Sequence, residues 1–359
     1  MFVAWRDLRF AKGRFALMGT VIVLITLLVG LLSGLTAGLA RENISAITGL
    51  PADRLAFAAP PAGQSVSFTN STVTEEQWRE WAGRPGVTAA APLGIRTLNG
   101  AAGDRTAAVS AFGTEPESGL APVAPASGTA VLSESAAEEL GVSAGDPVRL
   151  GPLELTVAAV AGDASYSHTP VVWTSLDDWQ RLGHSGTTVQ EQATVIALRG
   201  EGATDWGAGD KAVGTEARTV DDALTAIGSY QAENGSLQLM RGFLFAISAL
   251  VIGAFFTVWT IQRSGDVAVL KALGASTPYL LKDALGQAVL MLTAGTLLGT
   301  ALAVGIGALV SGGNVPFVLE PLTVLGPAAV IVVLGVLGAA LSIRRITAVD
   351  PLTALGSAR

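Results

Sequence analysis

The chain has no cysteine, only two histidines (His168 and His184), and charged residues at just 14% of 359. Without thiols there is no disulfide framework, no thiolate nucleophile and no Cys-ligated metal. No G-x-x-x-x-G-K-[ST] sequence occurs, so the chain has no phosphate-cradling loop of its own, and G-x-S-x-G and H-E-x-x-H are also missing. The histidines stand 16 residues apart and read as surface or hydrogen-bonded side chains rather than metal ligands. The acidic pairs Glu75-Glu76, Glu138-Glu139 and Asp221-Asp222 lie in helix-start or helix-face contexts and read as solvated faces. A non-catalytic polypeptide without an intrinsic cofactor is expected.

What the chain has in quantity is apolar surface: 50% of its residues are hydrophobic and its mean hydropathy is +0.51. Residues 15–40, FALMGTVIVLITLLVGLLSGLTAGLA, carry no charge. As a helix they extend about 39 Å, against about 30 Å of bilayer hydrocarbon. That apolar run also exceeds the 7–15 residues usual in a secretory signal peptide. Three further spans are expected at 242–261, 284–310 and 322–343. Arg6, Arg9, Lys12 and Arg14 precede the first span, and Arg344 and Arg345 follow the last. By the positive-inside rule both termini lie in the cytoplasm of a bacterial membrane. The region 41–241 holds 12 basic and 24 acidic residues, leaving 10 of the 22 basic and 5 of the 29 acidic residues elsewhere. Acidic outside and basic inside agrees with that topology and makes nucleic acid an unsuitable partner.

The fold class expected is therefore four transmembrane α-helices in a 1+3 arrangement, with a large α+β extracellular domain between the first and second spans. Residues 1–14 suit a short amphipathic cytoplasmic segment at the lipid surface, and 344–359 form a cytoplasmic tail. Within 41–241, Thr74-Glu75-Glu76-Gln77 fits a capping box that starts a helix carrying Trp78 and Trp81. Gly86-Val87-Thr88 opens a strand-like run, and Ser133–Gly141 reads as a helix closed by a glycine. Alternating strands follow around Gly145-Asp146-Pro147 and Gly151-Pro152, then a strand at Thr169–Trp173 and a helix near Leu176–Leu182. The stretch 200–215 reads as a surface excursion.

Gly30, Gly34 and Gly38 recur every fourth residue of the first span and so share one helix face. Such a stripe packs against another span of the same chain, or forms a dimer seam or a ligand-facing wall. Residues 262–283 form the inner connection. Within it GDVAVLKALG (Gly265–Gly274) reads as a short helix with Val267, Leu270 and Leu273 on one edge, ended by Gly274; Ser276-Thr277-Pro278 restarts a helix.

The segment QRSGDVAVLKALGASTPYLLKDALGQAVLM resembles the permeases of the FtsX/MacB-like (type VII) ABC transporters, in which an arginine precedes a short helix ending in A-L-G-A-[ST]. The ending RRITAVDPLTAL resembles theirs too, although Asp266 stands where glutamate is commoner. The resemblance implies a homodimer served by two copies of a separate ATPase subunit. Arg263, Val267, Leu270, Lys271, Leu273 and Gly274 would form the coupling element. MFVAWRDLRFAKGRFALM, GLTAGLARENISAI and ADR further resemble the heme-exporting permeases within that family. That resemblance implies heme as cargo, entering laterally from membrane lipid. Candidate iron ligands at the outer mouth are Glu42 and Met240, and Arg41 and Arg241 would pair with the propionates. Other cargoes remain open (peptide, antibiotic or lipid), as does the rival reading of a mechanotransmitting FtsX-like chain that regulates a cell-wall hydrolase.

Overall fold

A computed structural model describes residues 12–183, 191–262, 265, 269–271, 273–311 and 315–347. The amphipathic reading of 1–14 and the tail from 348 onward therefore lie almost wholly outside the described residues, as do Arg263, Val267 and His184. The chain divides into two compact units, Met1–Gly38 with Ser236–Arg359, and Leu39–Gly235.

In chain order the elements are α1 (Lys12–Thr48), β1 (Arg54–Ala58), β2 (Val73–Thr74), α2 (Glu75–Ala82), β3 (Val87–Ala102) and β4 (Arg105–Thr114). Next come β5 (Thr129–Leu132), α3 (Glu134–Leu140), β6 (Pro147–Leu150), β7 (Leu153–Val160), β8 (Ser165–Tyr166), β9 (Thr169–Ser175) and α4 (Leu176–Leu182). They are followed by β10 (Gln192–Ala193), β11 (Val195–Gly200), α5 (Trp206–Val213), β12 (Thr215–Thr219) and α6 (Val220–Ala223). Three long helices close the chain: α7 (Gly228–Gln262), α8 (Thr277–Val310) and α9 (Pro321–Thr347).

The helices α1, α7, α8 and α9 are each long and apolar enough to cross a membrane. Glycines set how they meet. A Cβ on Gly295 or Gly299 of α8 would press on Ile22 or Thr26 of α1, and one on Gly30 would stand 2.9 Å from the Ala303 Cβ. These contacts advance by four residues on both helices, so α1 and α8 run parallel. Thr257 of α7 and Ser342 of α9 share a hydroxyl hydrogen bond of 2.9 Å, and Gly338 lies against Gly253, so that pair is parallel as well. Two parallel pairs are what a 1+3 order of spans requires. Met18, Ile22, Ile252, Phe256, Leu292 and Ile331 fill the bundle centre, while Leu17, Leu24, Leu28, Ile247 and Leu250 point outward, as side chains solvated by lipid do.

In the second unit the main sheet runs β12-β1-β11-β3-β4-β9-β5-β7-β6, with β8 beside β9 and a further β3–β6 pairing. The β4–β9 and β5–β7 pairs are parallel and the rest antiparallel. One core holds Phe57, Leu93, Phe112 and Trp173. A second, containing Trp78, Trp81 and Trp179, is roofed by α2, α4 and α5. The Trp179 side chain fills the space over Gly94 and Gly113, which pair across β3 and β4; any side chain there would displace the indole.

Local chemistry sets the helix ends. Gln77 Oε1 accepts the Thr74 N–H at 3.0 Å, the returning half of the expected capping box. The Ser133 hydroxyl accepts from Ala136 N–H, and Gly141 adopts φ +66° to end α3. The stretch 200–215, read as a surface excursion, is mostly exposed but not irregular. It contains α5, because Asp205 caps Ala208 N–H and Val213 is buried. The small-residue composition hid this helix: Gly209 permits close contact with Trp81.

Candidate functional site

Glu42 and Asn43 lie in the unit Leu39–Gly235, on the C-terminal part of α1. Facing them is the β8–β9 hairpin, whose two turn residues, Ser167 and His168, take φ of +50° and +61°. Both central residues of a type I′ turn need such angles, which glycine takes freely and a side chain such as that of Ser167 rarely adopts. The turn is held from outside: Ser167 N–H donates to the Asn43 carbonyl at 2.9 Å and His168 N–H to the Glu42 carbonyl at 3.2 Å.

This strained turn places the His168 imidazole between two carboxylates. Its Nε2 is 2.7 Å from Glu233 Oε2, and its Nδ1 is 3.7 Å from Glu42 Oε2. The buried Asn43 side chain ties the group together. Its Nδ2 donates to Glu233 Oε2 at 3.1 Å and lies 3.3 Å from His168 Nε2, while its Oδ1 accepts the Ser229 hydroxyl at 3.0 Å. A neutral imidazole donates to only one of the two acids; an imidazolium donates towards both. On α3, burial first and the Glu42 charge second push the Glu139 carboxyl above its ordinary value. Glu42 keeps 44% of its side chain exposed and makes no side-chain hydrogen bond with a described residue, so the imidazole faces this carboxylate without sealing it. No group of three or more His, Asp or Glu suited to a resident metal occurs among the described residues.

Met240 and Arg241 belong to the other unit. Arg241 Nη2 donates to Thr36 Oγ1 at 3.0 Å, which holds the guanidinium beside α1. Met240 is 49% exposed at the head of an apolar stripe that continues through Phe243, Ile247 and Leu250. Arg41 is exposed and makes no hydrogen bond or ion pair with a described residue. The glycine stripe has its occupant within the chain. A Cβ on Gly34 would overlap the Phe317 ring, one on Gly38 the Pro316 carbonyl, and Val318 N–H donates to the Gly34 carbonyl at 3.1 Å. Of the alternatives for Gly30, Gly34 and Gly38, packing by the same chain describes what the stripe does here, because Ala303, Pro316 and Phe317 take up the room a ligand would need.

At the inner connection, Ala275 N–H bonds the Leu270 carbonyl at 2.9 Å, Gly274 N–H bonds that of Lys271 at 3.0 Å, and Gly274 has φ +94°. This is a Schellman cap. Ser276 then caps α8, with proline in its first turn. Leu273 stands 80% exposed and Val269 53% exposed.

Sequence reasoning chose Glu42 but passed over His168, Glu233 and Asn43. A two-residue connection between strand-like runs marks His168 as a turn residue. Its partners come from positions 125 and 65 residues away, which no local pattern reveals.

Two family profiles match the chain. The one described as MacB-like periplasmic core domain covers residues 15–209, and the one described as FtsX-like permease C-terminal covers 239–351. Proteins named as hemin transport system permease HrtB are similar along their whole length. That of Staphylococcus epidermidis is 26% identical over 367 residues, with 99% of each chain covered, and that of Staphylococcus haemolyticus is 27% identical over the same span. An uncharacterised ABC transporter permease of Mycobacterium bovis is 25% identical over 371 residues, again covering 99% of both chains. Among solved structures, the periplasmic region of MacB from Actinobacillus actinomycetemcomitans is similar at TM-score 0.36 and 10% identity, over 50% of this chain and 95% of that one.

Proposed function

Because this chain belongs to the ABC-transporter permeases that join a MacB-like periplasmic core to an FtsX-like C-terminal region, we propose that it exports heme out of the membrane, powered by a separate ATPase subunit. The permease works as a homodimer with two copies of that ATPase, and both termini face the cytoplasm. The charge asymmetry, acidic between the first two spans and basic elsewhere, supports this orientation.

The observation that carries the heme reading is the Glu42 carboxylate, aligned beside His168 at 3.7 Å yet partly open to solvent, just past the uncharged stretch of α1. Oxygen donors from carboxylates suit iron, and a thioether such as that of Met240 is an established axial ligand of heme. Arg41 and Arg241 supply guanidinium groups for propionates. The apolar face from Met240 to Leu250 gives a flat, lipid-soluble cargo a path from the bilayer. The ATPase engages the inner connection, where Leu270, Lys271, Leu273 and the Gly274 cap, with Arg263 and Val267, pass its ATP-driven closure to the spans.

Hemin titration of the purified permease, followed by absorption, tests the ligands. Glu42→Ala and Met240→Ala each shift the bound-heme spectrum, and the double variant loses it. An unchanged spectrum in the double variant removes the assignment.

A further inference from the structure

The α+β unit contains a cavity of about 490 Å³, within the range of small-ligand sites. It lies at a gap in the main sheet. On one side of β3, β11 pairs only as far as Leu93, opposite Val195; β6 pairs from Gly100, opposite Leu150. Between them, on that side, Ile95–Asn99 pairs with no strand among the described residues. Thr194 caps the start of the gap, its Oγ1 accepting the Ile95 N–H at 2.8 Å. Backbone groups of alternate residues point the same way along a strand, so Thr97 presents its N–H and C=O to the gap.

Two side chains in the cavity wall have donors to spare. Tyr166 is 7% exposed, and its hydroxyl makes no hydrogen bond among the described residues, yet it is not sealed from solvent. Burial pushes its phenol well above the ordinary tyrosine value, which keeps the donor proton in place. Arg96 stacks its guanidinium over the Trp179 ring at 5.2 Å and pairs with no carboxylate among the described residues. Phe68 and Trp179 add apolar walls, and Gln192 adds an amide.

We propose that this cavity binds the carboxylate end of an extended peptide. The peptide backbone pairs with the open β3 edge at Thr97, its terminal carboxylate takes the Arg96 guanidinium on the Trp179 face of the sheet, and the Tyr166 hydroxyl donates to the peptide from the Phe112 face. Main-chain pairing at a strand edge gives affinity for peptides in general, and a fixed cation beside it selects the charged terminus. An unmatched guanidinium, an unmatched buried phenol and an unpaired strand edge in one cavity are explained together by such a ligand. The site is independent of the heme reading, since it uses neither Glu42 nor Met240.

The test exposes full-length permease in lipid nanodiscs to a randomised tetrapeptide pool with free carboxyl termini, mixed with the same pool as carboxamides, and identifies retained peptides by mass. Wild-type protein is expected to retain the acids at least tenfold over the amides. Arg96→Gln abolishes that preference, and Tyr166→Phe, which removes an unbonded hydroxyl and keeps the ring, weakens retention of acids and amides alike several-fold. Peptides N-methylated at the residue pairing with Thr97 lose retention. Equal retention of acids and amides overturns the proposal. So does an acid preference that survives Arg96→Gln, or one matched by simple monocarboxylates such as hexanoate. Hemin spectra recorded on the same variants stay at wild type, which separates failure here from failure of the heme assignment.

Discussion

The imidazole of His168 meets the carboxylate of Glu233 at 2.7 Å, Nε2 to Oε2, across 65 residues of sequence. Its other nitrogen faces Glu42, and Asn43 bonds into the same cluster. The exposed members contribute little stability, because an ion pair open to water gives about 0–1 kcal/mol. Asn43 is different: 1% exposed, it satisfies Glu233 and Ser229 at once.

Asn43→Ala leaves those groups without their buried partner, and the expected cost is about 1–3 kcal/mol. His168→Gln retains a hydrogen-bonding side chain and costs less than about 1 kcal/mol, while weakening hemin binding by freeing Glu42. Thermal unfolding and hemin titration of the two variants separate the effects. A His168→Gln protein with wild-type hemin affinity removes His168 from the positioning of Glu42.

The glycines of α1 differ in the space around them. Gly38 abuts the backbone of Pro316, Gly34 the ring of Phe317, and Gly13 nothing within 4 Å. Gly38→Ala is expected to destabilise most, by about 1–3 kcal/mol as over-packing does. Gly34→Ala costs less, since a ring shifts more readily than a carbonyl, and Gly13→Ala leaves the melting temperature unchanged. Melting curves in detergent rank them.

Leu273 is 80% exposed beside a Schellman cap. Leu273→Asp places a charge on the apolar edge proposed to meet the ATPase and leaves the spans untouched. Co-purification of the ATPase is expected to fall at least tenfold, with hemin binding by the permease alone unchanged. Full recovery of the ATPase with this variant excludes Leu273 from the contact.

Burial first, then the negative charges of Glu75 and Glu117, raises the Glu115 carboxyl. A carboxyl whose folded value exceeds its unfolded one adds stability at low pH, and that contribution is lost as pH climbs through the raised value. Glu115→Gln is therefore expected to raise the melting temperature at about pH 8, with the gain disappearing towards about pH 4, near the ordinary carboxylate range. A gain independent of pH contradicts this account.

Four spans, the capping-box helix, the α3 and α4 helices and the Gly274 cap were legible in the sequence because each depends on local signals: an uncharged run, a cap, a left-handed glycine. The α5 helix was not, because WGAGDKAV is glycine-rich and gains its stability from contact with Trp81. The occupant of the glycine stripe was hidden for a similar reason. Phe317 lies 283 residues from Gly34, and small residues announce a close neighbour without naming it. Glu42 was found by its place at a span end, whereas the histidine and second acid around it are products of tertiary structure.

The central claim is ATP-driven export of heme. ATP turnover by the permease assembled with its ATPase in nanodiscs, measured with hemin and with drug and peptide controls, tests it most directly. The account predicts that hemin stimulates turnover several-fold, that Glu42→Ala with Met240→Ala abolishes the stimulation but not basal turnover, and that the controls do nothing. Turnover indifferent to hemin, or stimulation untouched by the double substitution, contradicts it.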